Sequence, residues 1–270
     1  MSTLTLTDIW IYPIKSLGGI RLEKAKFKGK GLQYDRRWML IDHERNFLTQ
    51  RNHPEMALFK LDVEGEDISV TIKKDENDVA TAKFPIHPSM ANQSFSSKIW
   101  DDEVLVREVD PAISQWFSQH LGITCQLVYF PEENPRPVEE QYQVNNDQVS
   151  LADAYPFLII GQSSLDDLNG RLKEAVPMNR FRPNFVFTGG NPYAEDDWSN
   201  LSIGPNKFVA VKKCARCTVP NVDQDTGLKG KEPLRTLSKY RSIDNTVFFG
   251  KNLISQNEGE VAVGDAIILS

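Results

Sequence analysis

The chain has 270 residues, of which 40% are hydrophobic and 25% charged, and its formal net charge at pH 7 is -6. These values are ordinary for a globular protein that buries one large core or two modest ones, and the negative charge argues against a nucleic-acid partner. No apolar run approaches the roughly 20 residues of a membrane span, and the first residues lack a signal-peptide pattern. We therefore expect a cytoplasmic protein with reduced thiols and without membrane contact.

The first hundred residues predict a strand-rich region. Residues 4–12 alternate apolar and polar side chains, with a one-residue slip at Asp8 that indicates a bulge. Further strand patterns, separated by Gly, Asp, Asn and Pro, cover residues 20–28, 37–42, 57–63, 68–74 and 102–109. Period-two alternation with frequent turns is typical of a barrel or a sandwich.

A helix is predicted over residues 111–121, where apolar residues recur at spacings of three and four. Asp110 can cap its first turn, and Gly122 suits its end. Residues 124–130 predict a strand. The polar, proline-rich segment 131–148 predicts a linker or a long surface loop.

The second half of the chain predicts strands with one further helix. The strand patterns cover residues 157–160, 184–187, 207–213, 246–250 and 261–269. Residues 163–172 predict a short amphipathic helix, with Ser163 and Asp166 at capping-box spacing. The chain as a whole predicts a mostly β protein with a few helices, in two parts joined near residues 130–148.

Cys214 and Cys217 stand three positions apart, in a chain with only three cysteines, and their role has four interpretations. A structural zinc site needs four Cys or His ligands, but Cys125 and four scattered histidines form no matching pair. A thioredoxin-like dithiol needs a helix N-terminus, but the residues after Cys217 resemble a strand or loop. The pair can also be two buried small hydrophobes, although cations crowd it.

The fourth interpretation is a single soft metal ligand, whose metal takes its other ligands from a cofactor. Lys212, Lys213 and Arg216 surround the two cysteines and would favour a thiolate. A phosphate-bearing cofactor needs cations and donors elsewhere in the chain, and three short motifs, "YPIKS", "DRRW" and "FRPNF", offer them. Each motif alone is weak, and the Lys-Ser pair is not a P-loop, because its glycines follow it.

Together these segments resemble the MOSC proteins, named after the C-terminal domain of molybdenum-cofactor sulfurase. The resemblance is carried by "IWIYPIKSLGG", "DRRW", "PFLIIGQSSLDDLNGRL", "FRPNF", "YAEDDW" and "CARCTVPNVDQDTG", which occur in the expected order over nearly the whole chain. It is closest to the amidoxime-reducing members of mitochondria and bacteria. The resemblance implies a β-barrel-type fold in two intimately packed parts, an N-terminal MOSC β-barrel domain at 1–122 and a MOSC domain at 123–270.

The resemblance also implies roles for individual residues. Cys217 would be the catalytic residue and the ligand of molybdenum, in a molybdenum cofactor whose molybdopterin dithiolene supplies two further sulfurs. The contacts to the phosphate and the pterin would fall on Lys15, Ser16, Arg36, Arg182 and Arg216. Arginine offers bidentate donors to a phosphate, so these residue types suit the task.

The implied activity is that of an oxidoreductase which reduces N-hydroxylated compounds: amidoximes, hydroxylamines or N-hydroxylated bases. The chain has no further clustered cysteines and no dinucleotide fingerprint. We therefore expect its electrons to come from a separate protein, an iron–sulfur flavoprotein or a haem protein. The alternative is a carrier of molybdenum cofactor or of sulfur without turnover, in which Cys214 would act beside Cys217.

Three positions depart from the family pattern. Ala215 stands where the amidoxime reducers often have Ser, residues 153–155 replace an expected Thr-Ser pair, and Asn252 stands where the animal proteins have Tyr. These departures leave the substrate open. Asp223 and Asp225 near the cysteines are better explained as turn formers before Gly227 than as proton donors.

Overall fold

The computed structural model describes residues 3–73, 78–89 and 93–270. Strands account for 41% of the structure and helices for 16%, which confirms the predicted mostly β fold. Up to residue 110 the described residues form β1 (Leu4–Ile11), β2 (Ile20–Leu22), β3 (Lys24–Lys28), β4 (Gly31–Leu32), β5 (Trp38–Ile41), β6 (Phe59–Glu64), β7 (Asp67–Lys73), β8 (Val79–Pro85), β9 (Phe95–Ile99) and β10 (Asp102–Glu108).

The rest of the chain contains three α-helices and nine strands. They are α1 (Pro111–Leu121), β11 (Gln126–Tyr129), β12 (Phe157–Gly161), α2 (Gln162–Asn169), β13 (Phe185–Thr188), β14 (Asn200–Ile203), β15 (Asn206–Ala215), α3 (Leu234–Leu237), β16 (Ser242–Ile243), β17 (Thr246–Ser255), β18 (Gly259–Ala262) and β19 (Ala266–Leu269). Within the described ranges no helix is long and apolar enough to cross a membrane.

Seven strands close into a barrel. Their order is β12-β13-β1-β19-β14-β15-β17, and pairing between β12 and β17 completes the ring. Strand β1 is the one member from the first half of the chain. Its register against β13 shifts between Leu6 and Asp8, which confirms the bulge predicted at Asp8.

Smaller sheets tie the two halves of the chain together. Strand β5 pairs with β11, and β3 pairs with β18 near the other end of the chain. The core is also shared, because the rings of Phe27, Phe157 and Phe208 pack with centroids 5.4 to 5.7 Å apart. The two parts therefore share sheets and core, while the boundary at residue 122 stays a prediction.

Helix α1 has the bounds and caps that the sequence predicts. The Asp110 carboxylate accepts a hydrogen bond of 2.6 Å from the Ala112 N–H. Gly122 ends the helix in the left-handed conformation, with φ 72°. The helix buries Ile113 and Phe117 in the main core.

The predicted capping box in α2 is wrong. Helix α2 begins at Gln162, directly after β12, so Gly161 is its N-cap and Ser163 lies inside the first turn. The Ser163 hydroxyl is buried without a partner, and Asp166 accepts from Gln162 instead. The strand leads straight into the helix, which leaves no room for a side-chain cap at residue 163.

Candidate functional site

A cavity of about 230 Å³ opens where the two halves of the chain meet. All six residues that the resemblance implicates line it: Lys15, Ser16, Arg36, Arg182, Arg216 and Cys217. Each lies in a loop next to a strand end, after β1, before β5, before β13 or after β15. These residues run from position 15 to position 217 of the sequence, and the structure brings them together at one cavity. Their individual roles stay predictions.

The backbone is strained at three of these residues. Ser16, Arg36 and Arg182 have φ values of 67°, 51° and 55°, in the left-handed region that side chains with a Cβ disfavour. Each such residue costs on the order of 1 kcal/mol, and such residues cluster at functional sites. With Trp100, four of the ten non-glycine residues with positive φ in the described ranges line this cavity, which supports it as the candidate site.

Two buried glutamines hold the Lys-Ser loop in its strained form. The Gln50 amide donates to the Ser16 carbonyl oxygen over 2.7 Å, and Gln50 and Gln224 exchange two amide hydrogen bonds. Gln224 belongs to the segment after the cysteines, so that segment supports a loop more than 200 residues earlier. Next to it, Asp223 accepts from the backbone of Asp225 and Thr226, which confirms its turn-forming role.

Tyr12 forms a platform for two of the arginines. The guanidinium carbons of Arg36 and Arg182 lie 4.3 and 4.2 Å from the centroid of its ring. Burial raises the pKa of Tyr12 to about 12, although the two arginines oppose the shift, so the ring is neutral. A Cβ at Gly19 would come within 2.5 Å of this ring, which explains the glycine that follows the Lys-Ser pair.

Arg182 presents an unused donor at the cavity. Its Nη1 donates to the Leu17 carbonyl over 2.6 Å, whereas its buried Nη2 has no partner. Burial lowers the pKa of Arg182 to about 10, so it stays charged at neutral pH. A buried donor without an acceptor is costly, and an anion in the cavity would satisfy it.

Arg36 and Arg216 differ in how far their charge is already compensated. Arg36 forms an ion pair of 2.7 Å with the buried Asp35. Among the described residues Arg216 has no carboxylate partner: its Nη2 donates to the Phe181 carbonyl over 2.7 Å, and its buried Nε finds no acceptor there. The strongest unsatisfied attraction for an anion therefore lies at Arg182 and Arg216.

Lys15 is paired with an acid that the sequence did not single out as a site residue. Its Nζ lies 2.6 Å from the Asp153 carboxylate and 2.9 Å from the Leu151 carbonyl oxygen, and the Trp100 indole also donates to Asp153 over 3.2 Å. Burial lowers the pKa of Lys15, and Asp153 opposes the shift. Burial would raise the pKa of Asp153, but Lys15 and Trp100 hold it well below its usual range. The carboxylate is therefore ionised, faces the open side of the cavity and is unsuited to donate a proton.

The two cysteines both line the cavity and are both free thiols, partly exposed. Arg216 donates to the Cys214 sulfur over 3.0 Å, so the hydrogen bond of Arg216 within the pair goes to Cys214, and its effect on Cys217 stays a prediction. Burial raises the pKa of Cys214, and Arg216 opposes the shift. The Cys217 sulfur takes part in no hydrogen bond among the described residues, which leaves it free to bind a ligand.

The surroundings of the two cysteines give little support to a thioredoxin-like dithiol or a structural zinc site. Cys214 lies in β15, and Cys217 follows in a loop before a short 3-10 turn at Val219–Asn221, so neither is at an α-helix N-terminus. Over residues 3–73, 78–89 and 93–270, no three His, Cys, Asp or Glu side chains are grouped to hold a metal ion. Cys125 is buried elsewhere, beside Ser118.

Several residues reach the cavity that sequence reasoning did not propose as site residues: Arg51, Trp100, Glu139, Asp153, Asn184, Lys212 and Lys213. The buried Asn184 amide links β1 and β12, since it donates to Trp10 and accepts from the Leu158 N–H. Proximity to the cysteines was a signal for the two lysines. Arg51 and Trp100 arrive through tertiary packing, and no local pattern identified them.

Sequence comparison gives the class of protein to which this barrel and cavity belong. The MOSC N-terminal beta barrel domain matches residues 3–124, and the MOSC domain matches residues 146–268, so the chain belongs to the MOSC family. It is 35% identical to mitochondrial amidoxime-reducing component 1 of Mus musculus and 33% identical to that of Homo sapiens, in each case over 98% of this chain and 82% of the relative. It is also 30% identical to the molybdenum cofactor sulfurase of Oryza sativa subsp. japonica, over 98% of this chain but 34% of that protein.

Proposed function

We propose that the chain binds molybdenum cofactor and reduces N-hydroxylated compounds with electrons from a separate donor protein. One observation carries the proposal: Arg182 and Arg216, each with a buried donor that has no partner among the described residues, line the same cavity as Cys217. The amidoxime-reducing relatives support the reaction class. The cytoplasmic location stays a prediction.

The residues present fit the phosphate and the metal of that cofactor. Arg182 Nη2 and Arg216 Nε supply charged donors, and the Ser16 hydroxyl lies in the same wall. Lys15 and Arg36 bring their charge already paired with a carboxylate. We therefore assign the tightest phosphate contacts to Arg182 and Arg216, with the other three residues completing the shell.

The chemistry divides between the cofactor and the chain. When bound, the cofactor supplies a centre that stores two electrons. The Cys217 thiolate is a soft ligand that suits such a metal. Reduction of an N–OH group consumes two electrons and two protons and releases water. Asp153, ionised by Lys15, orients that lysine rather than supplying a proton.

The first test is loading and turnover of the purified chain. We expect protein from a host that makes molybdenum cofactor to contain molybdenum and the pterin fluorophore. With a reduced viologen it should convert benzamidoxime to benzamidine, and with NADH alone it should be inactive.

Each part of the proposal can fail separately in that test. Protein without molybdenum or pterin from a competent host would overturn cofactor binding. Loaded protein that shows no turnover with any electron donor would favour the alternative, a carrier of molybdenum cofactor or of sulfur. Robust turnover with NADH by the isolated chain would contradict the separate electron donor.

A further inference from the structure

The cavity carries more positive charge than the proposed phosphate uses. Its lining includes seven cations but only two carboxylates, Glu139 and Asp153, in a chain whose net charge is -6. Four of the cations belong to the proposed cofactor shell. The other three, Arg51, Lys212 and Lys213, are here called the rim cations.

The rim cations lie closer to solvent than the inner ones. The side chains of Lys212 and Lys213 are 37% and 36% exposed, whereas those of Lys15 and Arg36 are 7% and 13% exposed. An incoming molecule therefore meets the rim cations first. Clefts lined by one sign of charge concentrate ligands of the opposite sign.

Strand irregularities place two adjacent lysines in the same cavity. In a regular strand, neighbouring side chains point to opposite faces. In β15 the register against β17 shifts between Ala210 and Lys212 and again between Lys213 and Ala215, and residues 212–216 all line the cavity. Bulges redirect side chains and are common beside active sites.

Neighbouring residues hold each rim cation differently. Lys213 lies 3.1 Å from the buried Asp196, which fixes its position. Lys212 is 3.4 Å from Glu139, a loose ion pair that an incoming anion can replace. The Arg51 guanidinium lies over one face of the Trp100 ring, 3.9 Å from its centroid, so it covers that face and leaves the rest of the ring to a substrate.

We propose that the rim cations select substrates that carry a carboxylate or a phosphate in addition to the N-hydroxylated group, a proposal that rests on the proposed function. The exposed Trp100 ring favours a substrate with an aromatic or heteroaromatic ring, because rings stack on it. The preferred class is therefore an acidic, ring-bearing N-hydroxylated compound.

The test compares two substrates of matched shape on the cofactor-loaded chain with a reduced viologen. 4-Carboxybenzamidoxime should have a kcat/KM about tenfold above that of neutral 4-carbamoylbenzamidoxime, since charge-assisted hydrogen bonds are roughly twice as strong as neutral ones. The double variant Lys212→Gln/Lys213→Gln should lose this preference and change the neutral substrate by less than about twofold. Lys207→Gln, exposed on the same strand outside the cavity, is the matched control and should keep the preference.

Two further measurements ask whether the preferred anion is a phosphate and whether the lysines hold the cofactor instead of the substrate. N6-hydroxyadenosine and its 5′-monophosphate test a phosphate in the same way. Pterin fluorescence of the double variant should be unchanged, and its loss would assign the lysines to the cofactor and overturn the proposal. Equal kcat/KM for charged and neutral substrates would also overturn it.

A binding measurement keeps the rim proposal independent of turnover. Titration calorimetry on the loaded chain should show tighter binding of the carboxylate than of the amide, and weaker discrimination in the double variant. Equal binding overturns the rim proposal. Charge-selective binding without any turnover would overturn the proposed activity but support charge selection by the rim cations.

Discussion

The residues of helix α1 adopt the conformations that their types favour, whereas several residues around the cavity do not. In α1 the cap, the buried face and the final glycine all adopt the conformations that their residue types favour. Around the cavity, Ser16, Arg36 and Arg182 hold a conformation that suits glycine, and two buried arginine donors lack partners. Places where a sequence breaks local rules are expected to be functional sites.

The two regions should therefore respond to mutation in opposite ways. Changes in α1 should cost stability and leave the cavity chemistry intact. Removing Arg182 or Arg216, which form no ion pair with a described carboxylate, should cost function and leave the apoprotein as stable as before, or more so, because buried charge is expensive.

The largest effect is expected at the cysteine pair. Cys217→Ser should abolish amidoxime reduction and change the Mo–S signal in X-ray absorption, because it removes the proposed ligand. Cys214→Ser is the control and should keep both, since Cys214 is already engaged by Arg216. Loss of metal in Cys214→Ser with retention in Cys217→Ser would reverse the assignment.

Arg182→Ala should lower the amount of bound pterin by about tenfold or more, because it removes a charge-assisted contact in a buried site. The melting temperature of the apoprotein should not fall, since one desolvated charge disappears. The exposed Arg235→Ala serves as the control for pterin content and for melting temperature. Full pterin content in Arg182→Ala would remove Arg182 from the phosphate shell.

The ion pair between Lys15 and Asp153 should give a pH-dependent loss of stability. Asp153→Asn leaves Lys15 without its counter-charge and should lower the free energy of unfolding by about 2 kcal/mol at neutral pH. The loss is smaller than for a fully buried ion pair, because the Asp153 carboxylate is exposed to solvent. The folded pKa of Asp153 is lowered, so its contribution is complete above the unfolded pKa of about 3.9 and lost as pH falls below it.

Urea unfolding of the wild type and of Asp153→Asn between pH 7 and pH 3 measures how the contribution of Asp153 to stability depends on pH. The difference in the free energy of unfolding should be constant above about pH 5 and should narrow below about pH 4. Glu23→Gln, at an exposed acid, should show no such narrowing. If the difference in the free energy of unfolding between wild type and Asp153→Asn grew toward low pH, the lowered pKa of Asp153 would be contradicted.

The smallest effect is expected in the helix. Asp110→Ala removes the hydrogen bond to the Ala112 N–H and should lower the free energy of unfolding by about 1 kcal/mol. Pterin content and kcat/KM should stay at their wild-type values. A change in either would mean that α1 and the cavity are coupled, and the contrast between the two regions would be lost.

Local patterns predicted much of the fold because they reflect local physics. Alternation gave most of the strands, and the caps gave both ends of α1. The strands predicted at 20–28 and 261–269 are each interrupted in the structure, and β4, β8, β9, β14 and β16 were not predicted. The closure of β12 on β17, and the insertion of β1 among strands of the second half, depend on pairings between distant residues that no local pattern encodes.

The candidate site was predictable through its motifs but not through its pairings. The six residues that the motifs identified all line the cavity. The contact between Lys15 and Asp153 joins residues 138 positions apart, and the partner of Arg216 depends on how the irregular end of β15 directs Cys214. Such contacts follow from tertiary packing and could not be read from spacing.

The position of β1 in the barrel has a consequence for the order of events during synthesis. β1 lies between β13 and β19, and Leu4 and Thr5 pair with Ile267 and Ala266. On the ribosome, β1 can pair with β2 as soon as residues 20–22 are made, whereas its pairing with β13 and then with β19 has to wait for residues 185–188 and 266–267. The cavity, whose lining runs from Lys15 to Asn252, is complete only after residue 252 has been synthesised, and the proposed cofactor can enter the finished cavity no earlier.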